Sequence, residues 1–434
     1  MRGAFGWVRL HGEYADLARV VQDPTGKFMD QTDASTLFRP LRIRGVTLAN
    51  RFVMPGMQRG WCRDGMPDER MVAYYRERAA GGISLVITEA CAVDHPSATR
   101  GPHYGRIVSA TLPGWRRCID AVHQAGGKMF MQLWHEGAIR KEAVDGPDFG
   151  VPTLSPSGLV TAGKSNGRAA SLRDLADIRD AFGRAAAAAK SIGADGVEIH
   201  ACHGYLLDQF LWADTNRRQD GYGGDEILAR VRFPAEVVTA VREAVGGDFP
   251  ISFRLSQWKE IEFDAKIVQS PDELGAMLGT LRRAGVDLFH VSTRRFWRPE
   301  WPGSDLNLAG WARKLSNAPV ITVGSVGLQL DVMESFAGKE APAEVEKGIR
   351  ELVRRMNNDE FDLIALGRSS ISDPQWVRKV RESRYGEIRT FKKEHLGTQE
   401  FDNMPYVADA FREHIEAMQR QAASDTAAKN AVGS

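Results

Sequence analysis

The sequence predicts a single domain of the α/β class, a (β/α)₈ TIM barrel with loop insertions. Short apolar runs alternate with helical patterns, and this alternation repeats eight times along the chain from residue 37 onwards. Polar residues collect at the carboxyl end of nearly every run, where barrel enzymes carry their active sites. A doubly wound sheet is the alternative, but no strand candidate is followed by G-x-G-x-x-G.

The eight strand candidates are continuous apolar runs, as expected for parallel strands that are buried on both faces. Two of the connecting segments, residues 135–171 and 294–308, are long enough to suggest functional loops. The predicted strands cover residues 51–57, 84–90, 128–134, 196–201, 251–256, 288–293, 320–325 and 362–368.

The barrel pattern does not extend over the whole chain. Residues 1–35 show no clear period, and we predict an N-terminal extension that is partly disordered. Residues 36–385 form the predicted barrel. Residues 386–434 are predicted to form a helical tail with a frayed, polar end.

Charge and composition favour small-molecule chemistry. The chain has 57 basic and 56 acidic residues, so no overall field attracts nucleic acid or an anionic membrane. Its four cysteines lie far apart and form no C-x-x-C pair, which argues against a disulfide framework. The opening segment lacks the unbroken apolar core of a secretory signal, and no run approaches the ~18 apolar residues of a membrane span. We therefore predict a cytoplasmic protein.

The segment GLVTAGKS, residues 158–165, matches the Walker A pattern of nucleotide-binding proteins. A P-loop must follow a buried strand and open into a helix, whereas Asn166 and Gly167 follow this segment directly and would interrupt a helix. We interpret it as a glycine-rich part of the third-strand insertion. A P-loop protein that uses Lys164 is the alternative.

The segment GVEIHACHGYLLDQFLW, residues 196–212, places His200, His203 and Tyr205 where the fourth strand becomes a loop. Two imidazoles can donate paired hydrogen bonds to a carbonyl or nitro oxygen, and a tyrosine can deliver a proton. The histidines could instead bind a metal, although we identify no Asp, Glu or Cys beside them at ligand spacing. Tyr205 could equally be a capping or core aromatic.

The ends of four other strands carry groups suited to a phosphorylated heteroaromatic ligand. Small residues and one arginine follow the seventh and eighth strands, which predicts a phosphate site formed by Gly324, Ser325, Gly367 and Arg368. Gln132 and Arg254 suit the polar edge of a ring. Arg254 could alternatively form a salt bridge within the rim, and Gln132 could be a structural hydrogen-bonding residue.

Several of these segments together resemble the old yellow enzyme family of FMN-dependent NAD(P)H oxidoreductases, from about residue 37 to residue 376. The most specific segment is DGVEIHACHGYLLDQFLWADTNRRQDGYGG. The other matching segments are LFRPLRIRGVTLANRFVMPGM, TEACAV, QLWHEG, FRLS, VGSVG and ALGR. Gln58 departs from the family pattern, since many relatives have Cys or Thr at this position.

The resemblance implies FMN as the cofactor and NADH or NADPH as the electron donor in a ping-pong cycle. Its substrate would be a small electron-poor alkene held by His200 and His203, with Tyr205 as the proton donor. The implied FMN contacts are Pro55, Gly56, Met57, Ala90, Gln132, Arg254, Gly324, Ser325, Gly367 and Arg368. Amine oxidation or demethylation on the same barrel is the alternative activity, and a homo-oligomer stays open.

Aromatic residues are frequent in the segments expected at the barrel mouth. A flat or cyclic substrate would suit Trp61, Trp134, Phe296 and Trp297, with Trp301 nearby. Packing between long loops is the ordinary explanation for each aromatic taken singly.

Overall fold

The computed structural model describes residues 33–142, 149–330, 334 and 344–396. Within these residues, eight parallel strands close into a barrel in sequential order, the first pairing with both the second and the eighth. This confirms the predicted fold class. The barrel strands are β1 Phe52–Met54, β2 Leu85–Ala92, β3 Lys128–Trp134, β4 Gly196–His203, β5 Ile251–Lys259, β6 Leu288–Ser292, β7 Val320–Val323 and β8 Leu363–Ala365.

A helix follows each strand and packs on the outside of the barrel. Ser171 and Ser270 cap two of these helices by accepting a backbone N–H with their hydroxyl groups. The eight helices are α1 Glu69–Ala80, α2 Leu112–Gln124, α3 Leu172–Ser191, α4 Arg232–Val245, α5 Pro271–Ala284, α6 Leu308–Ser316, α7 Val345–Asn357 and α8 Trp376–Arg381.

Shorter elements occupy the connections. The short helices are Leu206–Leu211, Ile227–Arg230 and Arg368–Ser372, and 3₁₀ turns occur at Ser35–Phe38, Gly137–Ile139, Tyr385–Glu387 and Lys393–Leu396. The short strands are Leu41–Ile43, Val46–Leu48, Cys62–Arg63, Met66–Pro67, Gly105–Arg106, Leu154–Ser155, Leu159–Thr161, Lys164–Ser165 and Arg168–Ala169.

The barrel interior is apolar at its amino-terminal end and polar at the other. The hairpin of Leu41–Ile43 and Val46–Leu48 closes the amino-terminal end, where Ile43 and Leu48 join a cluster of apolar side chains from the strands. Further along the strands, charged and polar side chains replace the apolar ones, and Glu198, Ser252 and His290 are all fully buried. The polar layer therefore lies beneath the carboxyl-terminal mouth.

Three strands end later than the sequence predicts. β2 continues to Ala92 rather than ending at residue 90, β4 continues to His203 rather than ending near residue 201, and β5 continues to Lys259 rather than ending at residue 256. Both ends of the chain contain predicted elements, an N-terminal extension and a helical tail, that lie mostly outside the described residues. No described helix is both long and apolar enough to cross a membrane.

Candidate active site

One cavity lies at the carboxyl ends of the barrel strands. Its volume is about 280 Å³, far above the roughly 10–15 Å³ that one water requires by this measure, so it can hold an organic ligand. The predicted catalytic and cofactor-binding residues all contribute to its wall: Pro55, Gly56, Met57, Ala90, Gln132, His200, His203, Tyr205, Arg254, Gly324, Ser325, Gly367 and Arg368.

The turn after β4 brings His200, His203 and Tyr205 together. His203 and Gly204 both have positive φ, 65° and 93°, which reverses the chain sharply at the cavity edge. Asp208 stabilises the turn by accepting the Gly204 N–H at 2.6 Å. The Tyr205 ring packs edge-on against His200, with ring centroids 4.9 Å apart. The three side chains therefore form one contiguous surface.

Both histidines are neutral at physiological pH. Burial, reinforced by the Arg254 cation, lowers the pKa of His200 to about 3. The same two causes lower the pKa of His203 well below its ordinary value. A neutral imidazole carries one N–H, so each ring can donate one hydrogen bond to a ligand oxygen without itself being charged.

The two rings differ in their neighbours. His200 Nδ1 lies 3.7 Å from Cys202 Sγ, whereas His203 Nε2 lies 2.9 Å from Ser292 Oγ and within hydrogen-bonding distance of it. These contacts leave His200 Nε2 and His203 Nδ1 as the ring atoms best placed to contact a ligand. Which nitrogen carries the proton follows from these partners and is not fixed by the ring itself.

A buried carboxylate orients Gln132 at the cavity floor. Glu198 Oε1 accepts a hydrogen bond from Gln132 Nε2 at 2.8 Å, while Glu198 Oε2 accepts from Ser252 and His290 at 2.9 and 2.8 Å. Because a carboxylate can only accept, the amide nitrogen of Gln132 must face Glu198. Gln132 Oε1 is then available as an acceptor.

Glu198 is ionised despite its burial. Burial acts to raise its pKa, but His290, Arg254 and the hydrogen bonds together outweigh that effect and lower the pKa to about 2. Its carboxylate therefore maintains the orientation of Gln132 throughout the physiological pH range. Sequence analysis missed this residue, although a carboxylate inside the apolar run GVEIH was the same signal that identified Arg254 in ISFRLS.

Arg254 and Gly56 complete this side of the floor. Arg254 Nη1 donates to the Gly56 carbonyl at 3.1 Å, and the buried Arg254 Nε has no hydrogen-bond partner among the described residues. A Cβ atom at residue 56 would lie 2.7 Å from Gln132 Nε2, so this position requires glycine. The floor therefore combines a permanent cation with an oriented acceptor.

The opposite side of the cavity is formed by β7, β8 and their loops. Gly324 has a φ of 153°, and Ser325, with a φ of 54°, is one of the few non-glycine residues in the left-handed region. Arg368 donates to Ser325 Oγ at 3.1 Å and to the Leu330 carbonyl at 2.9 Å. Tight turns and a guanidinium group in this location suit a phosphate group.

Three of the four predicted aromatic contacts do not line this cavity, and their contact with a substrate stays a prediction. Trp61 packs edge-on against Tyr74, with Arg59 4.6 Å above its ring. Phe296 is buried within the loop after β6. Trp297 lines a small separate pocket with Phe296. Ordinary loop packing explains all three, whereas Trp134 does line the cavity.

Two of the lining residues that the sequence analysis does not identify contact the predicted catalytic group directly. The Trp258 ring packs at 4.5 Å from the His203 ring, and the Glu260 carboxylate accepts a hydrogen bond from Tyr205 Oη at 3.2 Å. Both depend on the continuation of β5 beyond its predicted end. No local sequence pattern indicates that β5 should meet the turn after β4 in this way.

Two alternative interpretations can be compared with the structure. In the Walker-like segment, Lys164–Ser165 pairs antiparallel with Leu159–Thr161 and is exposed, so this segment is a hairpin and not a strand-loop-helix P-loop. The metal interpretation gains a third candidate ligand, because Cys202 lies with His200 and His203 and their ligand atoms are within 4.8 Å of one another. Burial raises the pKa of the Cys202 thiol well above its ordinary value.

Comparison with known proteins identifies matches over most of the chain. The profile of the "NADH:flavin oxidoreductase / NADH oxidase family" matches residues 36–342. An NADH oxidase from Thermoanaerobacter brockii is 33% identical over 376 residues, which cover 82% of this chain and 52% of that protein. The chain thus spans about half the length of that relative, and 32% of the length of a metal reductase from Desulforamulus reducens.

Other relatives match along nearly their full length. A protein of Leishmania infantum described as a "Probable flavin mononucleotide-dependent alkene reductase" is 35% identical, over 79% of this chain and 90% of that protein. Among solved structures, the old yellow enzyme homologue from Zymomonas mobilis superposes with a TM-score of 0.68 at 25% identity, covering 85% of this chain and 98% of that one. Morphinone reductase gives a TM-score of 0.69 at 26% identity, covering 85% and 96% respectively.

Proposed function

Because this chain belongs to the NADH:flavin oxidoreductase family, the old yellow enzyme family, we propose that it is an FMN-dependent oxidoreductase that uses NADH or NADPH to reduce activated C=C bonds. Its substrates would be α,β-unsaturated carbonyl or nitro compounds. The single observation that carries the proposal is that one cavity combines three groups of residues. These are the polar floor of Gln132 and Arg254, the turns after β7 and β8 with Arg368, which suit a phosphate group, and the neutral histidine pair beside Tyr205.

The residues present fit FMN. Gln132 Oε1 is available to accept from the imide N–H of an isoalloxazine ring, and the unpartnered Nε of Arg254 can donate to the same polar edge. The glycine at residue 56 allows close approach to the floor, and Gly324, Ser325, Gly367 and Arg368 would hold the phosphate. Pro55, Met57 and Ala90 complete the wall around this space.

Bound FMN would accept a hydride from NAD(P)H and deliver it to the β carbon of the alkene. The protein's own part is to bind and polarise the alkene. His200 and His203, both neutral, would donate hydrogen bonds to the carbonyl or nitro oxygen and stabilise the negative charge that develops there. Tyr205 would then give a proton to the α carbon.

A visible absorption spectrum of the purified protein with added FMN tests the cofactor. A colourless protein that binds no FMN would contradict the proposal. Steady-state assays test the activity: we expect NAD(P)H consumption to accelerate with a cyclohexenone-type acceptor. Turnover only with an amine and an external electron acceptor would instead favour the alternative of an amine dehydrogenase or demethylase.

A further inference from the structure

Glu260 enters the cavity from the extended end of β5. Its backbone N–H donates to the His203 carbonyl at 3.3 Å, and the His203 N–H donates to Ser256 Oγ at 3.1 Å. These two hydrogen bonds join the end of β5 to the turn after β4. The Glu260 side chain lines the cavity and is 22% exposed.

A buried ion pair maintains this junction. Lys259 Nζ lies 2.7 Å from Asp208 Oδ1, both side chains are fully buried, and Asp208 also accepts the Gly204 N–H. Because Lys259 is committed to Asp208, its cation points away from the neighbouring carboxylate of Glu260. The backbone on either side of Glu260 is therefore anchored.

The carboxylate of Glu260 faces Tyr205, His203 and Arg254. It accepts a hydrogen bond from Tyr205 Oη at 3.2 Å, whereas His203 Nδ1 lies 3.6 Å away, beyond an ordinary hydrogen bond. His203 is neutral, so it forms no ion pair with Glu260 at neutral pH. Arg254 acts at longer range and favours the carboxylate, as does the hydrogen bond from Tyr205.

Burial is the dominant influence on Glu260 and raises its pKa to about 7. The carboxyl group is therefore partly protonated at physiological pH. Tyr205 behaves differently: burial, together with Glu260, raises its pKa well above the ordinary value, so a tyrosinate left after proton donation is unstable. Tyr104 and Glu136 also contribute to raising the pKa of Tyr205.

We propose that Glu260 is a proton-relay residue that returns a proton to Tyr205 each time Tyr205 protonates a substrate carbon. The proposal rests on the alkene reduction proposed above. The Tyr205 O–H bond breaks as the C–H bond at the α carbon forms. The Glu260 O–H bond breaks in the same step, which restores the phenol, and the Glu260 carboxylate then takes a proton from solvent. No electrons move in the relay, because both arrive with the hydride from NAD(P)H.

The pH dependence of the alkene half-reaction tests the relay. In the wild-type holoenzyme, the rate at which 2-cyclohexenone reoxidises the reduced flavin should fall as the pH rises above about 7, because Glu260 loses its proton there. Well above this pH, the reoxidation rate should fall by at most roughly tenfold per pH unit. Glu260→Gln removes the titrating group, so this step in the profile should disappear. An unchanged profile in E260Q would overturn the proposal.

Glu262→Gln is the matched control. Glu262 lies on the same turn, where its backbone pairs with Lys259, but its side chain is exposed to solvent. E262Q should therefore keep the wild-type profile. If E262Q lost the pH step as E260Q does, the effect would belong to the turn as a whole and the relay would be wrong.

Infrared spectroscopy tests the carboxyl group without any alkene turnover. Burial also raises the pKa values of Glu89 and Glu136 to about 7, so the Glu260 signal is taken from the wild-type minus E260Q difference spectrum. This difference should contain a protonated-carboxyl C=O band that titrates near pH 7, whereas the wild-type minus E262Q difference should contain none. Tyr205→Phe should move this titration to higher pH, because it removes a donor that favours the carboxylate. Absence of the band, or no shift in Y205F, would overturn the relay. Failure to reduce any alkene with the band intact would instead contradict the proposed function.

Discussion

Tyr205 is the residue whose role depends most on its surroundings. It precedes the short helix Leu206–Leu211 without capping it through its side chain, and its ring is nearly buried between His200 and Trp134. The capping interpretation is therefore not supported by its side-chain contacts. The hydroxyl group lies at the cavity wall beside Glu260, where a proton donor is useful.

Replacing Tyr205 should separate the two half-reactions. We expect Tyr205→Phe to slow flavin reoxidation by an alkene by roughly 10²-fold or more, the ordinary contribution of general acid catalysis. Flavin reduction by NAD(P)H needs no proton from Tyr205 and should change little. Stopped-flow absorbance of the flavin measures both rates. An equal loss in both half-reactions would contradict the assignment.

Glu198 provides a second prediction at the residue scale. Glu198→Gln removes the charge that determines which end of the Gln132 amide faces the ligand, so FMN should bind roughly 10-fold to 100-fold more weakly, the size of one charged hydrogen bond. Equilibrium titration of apoprotein with FMN measures this. Ser252→Ala is the control, because it removes a donor to Glu198 while leaving the Gln132 contact in place. Similar losses in both variants would indicate a general packing effect.

The junction between the turn after β4 and the end of β5 is the element that organises the active-site mouth. It places two cavity residues, Tyr205 and Glu260, in hydrogen-bonding contact, and its buried anchor is the pair of Asp208 and Lys259. Asp208 lies beneath the turn and accepts the Gly204 N–H. Burial and the mutual charge of the pair both act on the Asp208 carboxyl, and burial dominates to raise its pKa to about 6.

Breaking this ion pair should be costly. Asp208→Asn leaves Lys259 buried without its counter-charge, and we expect the free energy of unfolding to fall by about 3–5 kcal/mol. Replacing both residues, with Asp208→Asn and Lys259→Met, should cost less than the single change, because no buried charge remains and the Gly204 N–H keeps an acceptor. Urea unfolding measures these differences. A double variant less stable than D208N would contradict this account.

Glu346→Gln supplies the surface comparison. Glu346 pairs with Arg350 across one turn of α7, where both side chains are about half exposed. Solvent screens such a pair, so its loss should cost no more than about 0.5 kcal/mol. The contrast with D208N would show that burial, and not ion pairing as such, determines the effect at the junction.

At the scale of the whole molecule, ligand binding should stabilise the barrel. FMN at roughly 100 times its Kd adds about 2.7 kcal/mol to the free energy of unfolding and raises Tm. Riboflavin lacks the phosphate and should bind more weakly and stabilise less at the same concentration. Arg368→Ala should reduce or abolish the difference between the two ligands, as measured by thermal unfolding. An equal response of the wild-type protein to both would contradict the phosphate site.

The sequence predicts the barrel fold and many of the cavity-lining residues for a definite physical reason. Parallel strands joined by helices bring their carboxyl ends to the same end of the barrel, so residues after different strands could be expected to meet there. Gln132, Arg254 and Arg368 were found by this rule although they lie far apart in the chain. The cytoplasmic location stays a prediction, and the oligomeric state stays open.

The fold class, the end of the barrel that carries the cavity and the strand-end residues that line it can all be predicted from the sequence, because strand period and connectivity are local properties of the chain. The contacts between side chains become visible only in the folded structure. In the folded chain, Tyr205 is hydrogen-bonded to Glu260 and Gln132 is hydrogen-bonded to Glu198. Trp61, Phe296 and Trp297 lie outside the cavity. Those contacts depend on how separate loops pack and where each backbone turns, which no pattern within one segment specifies.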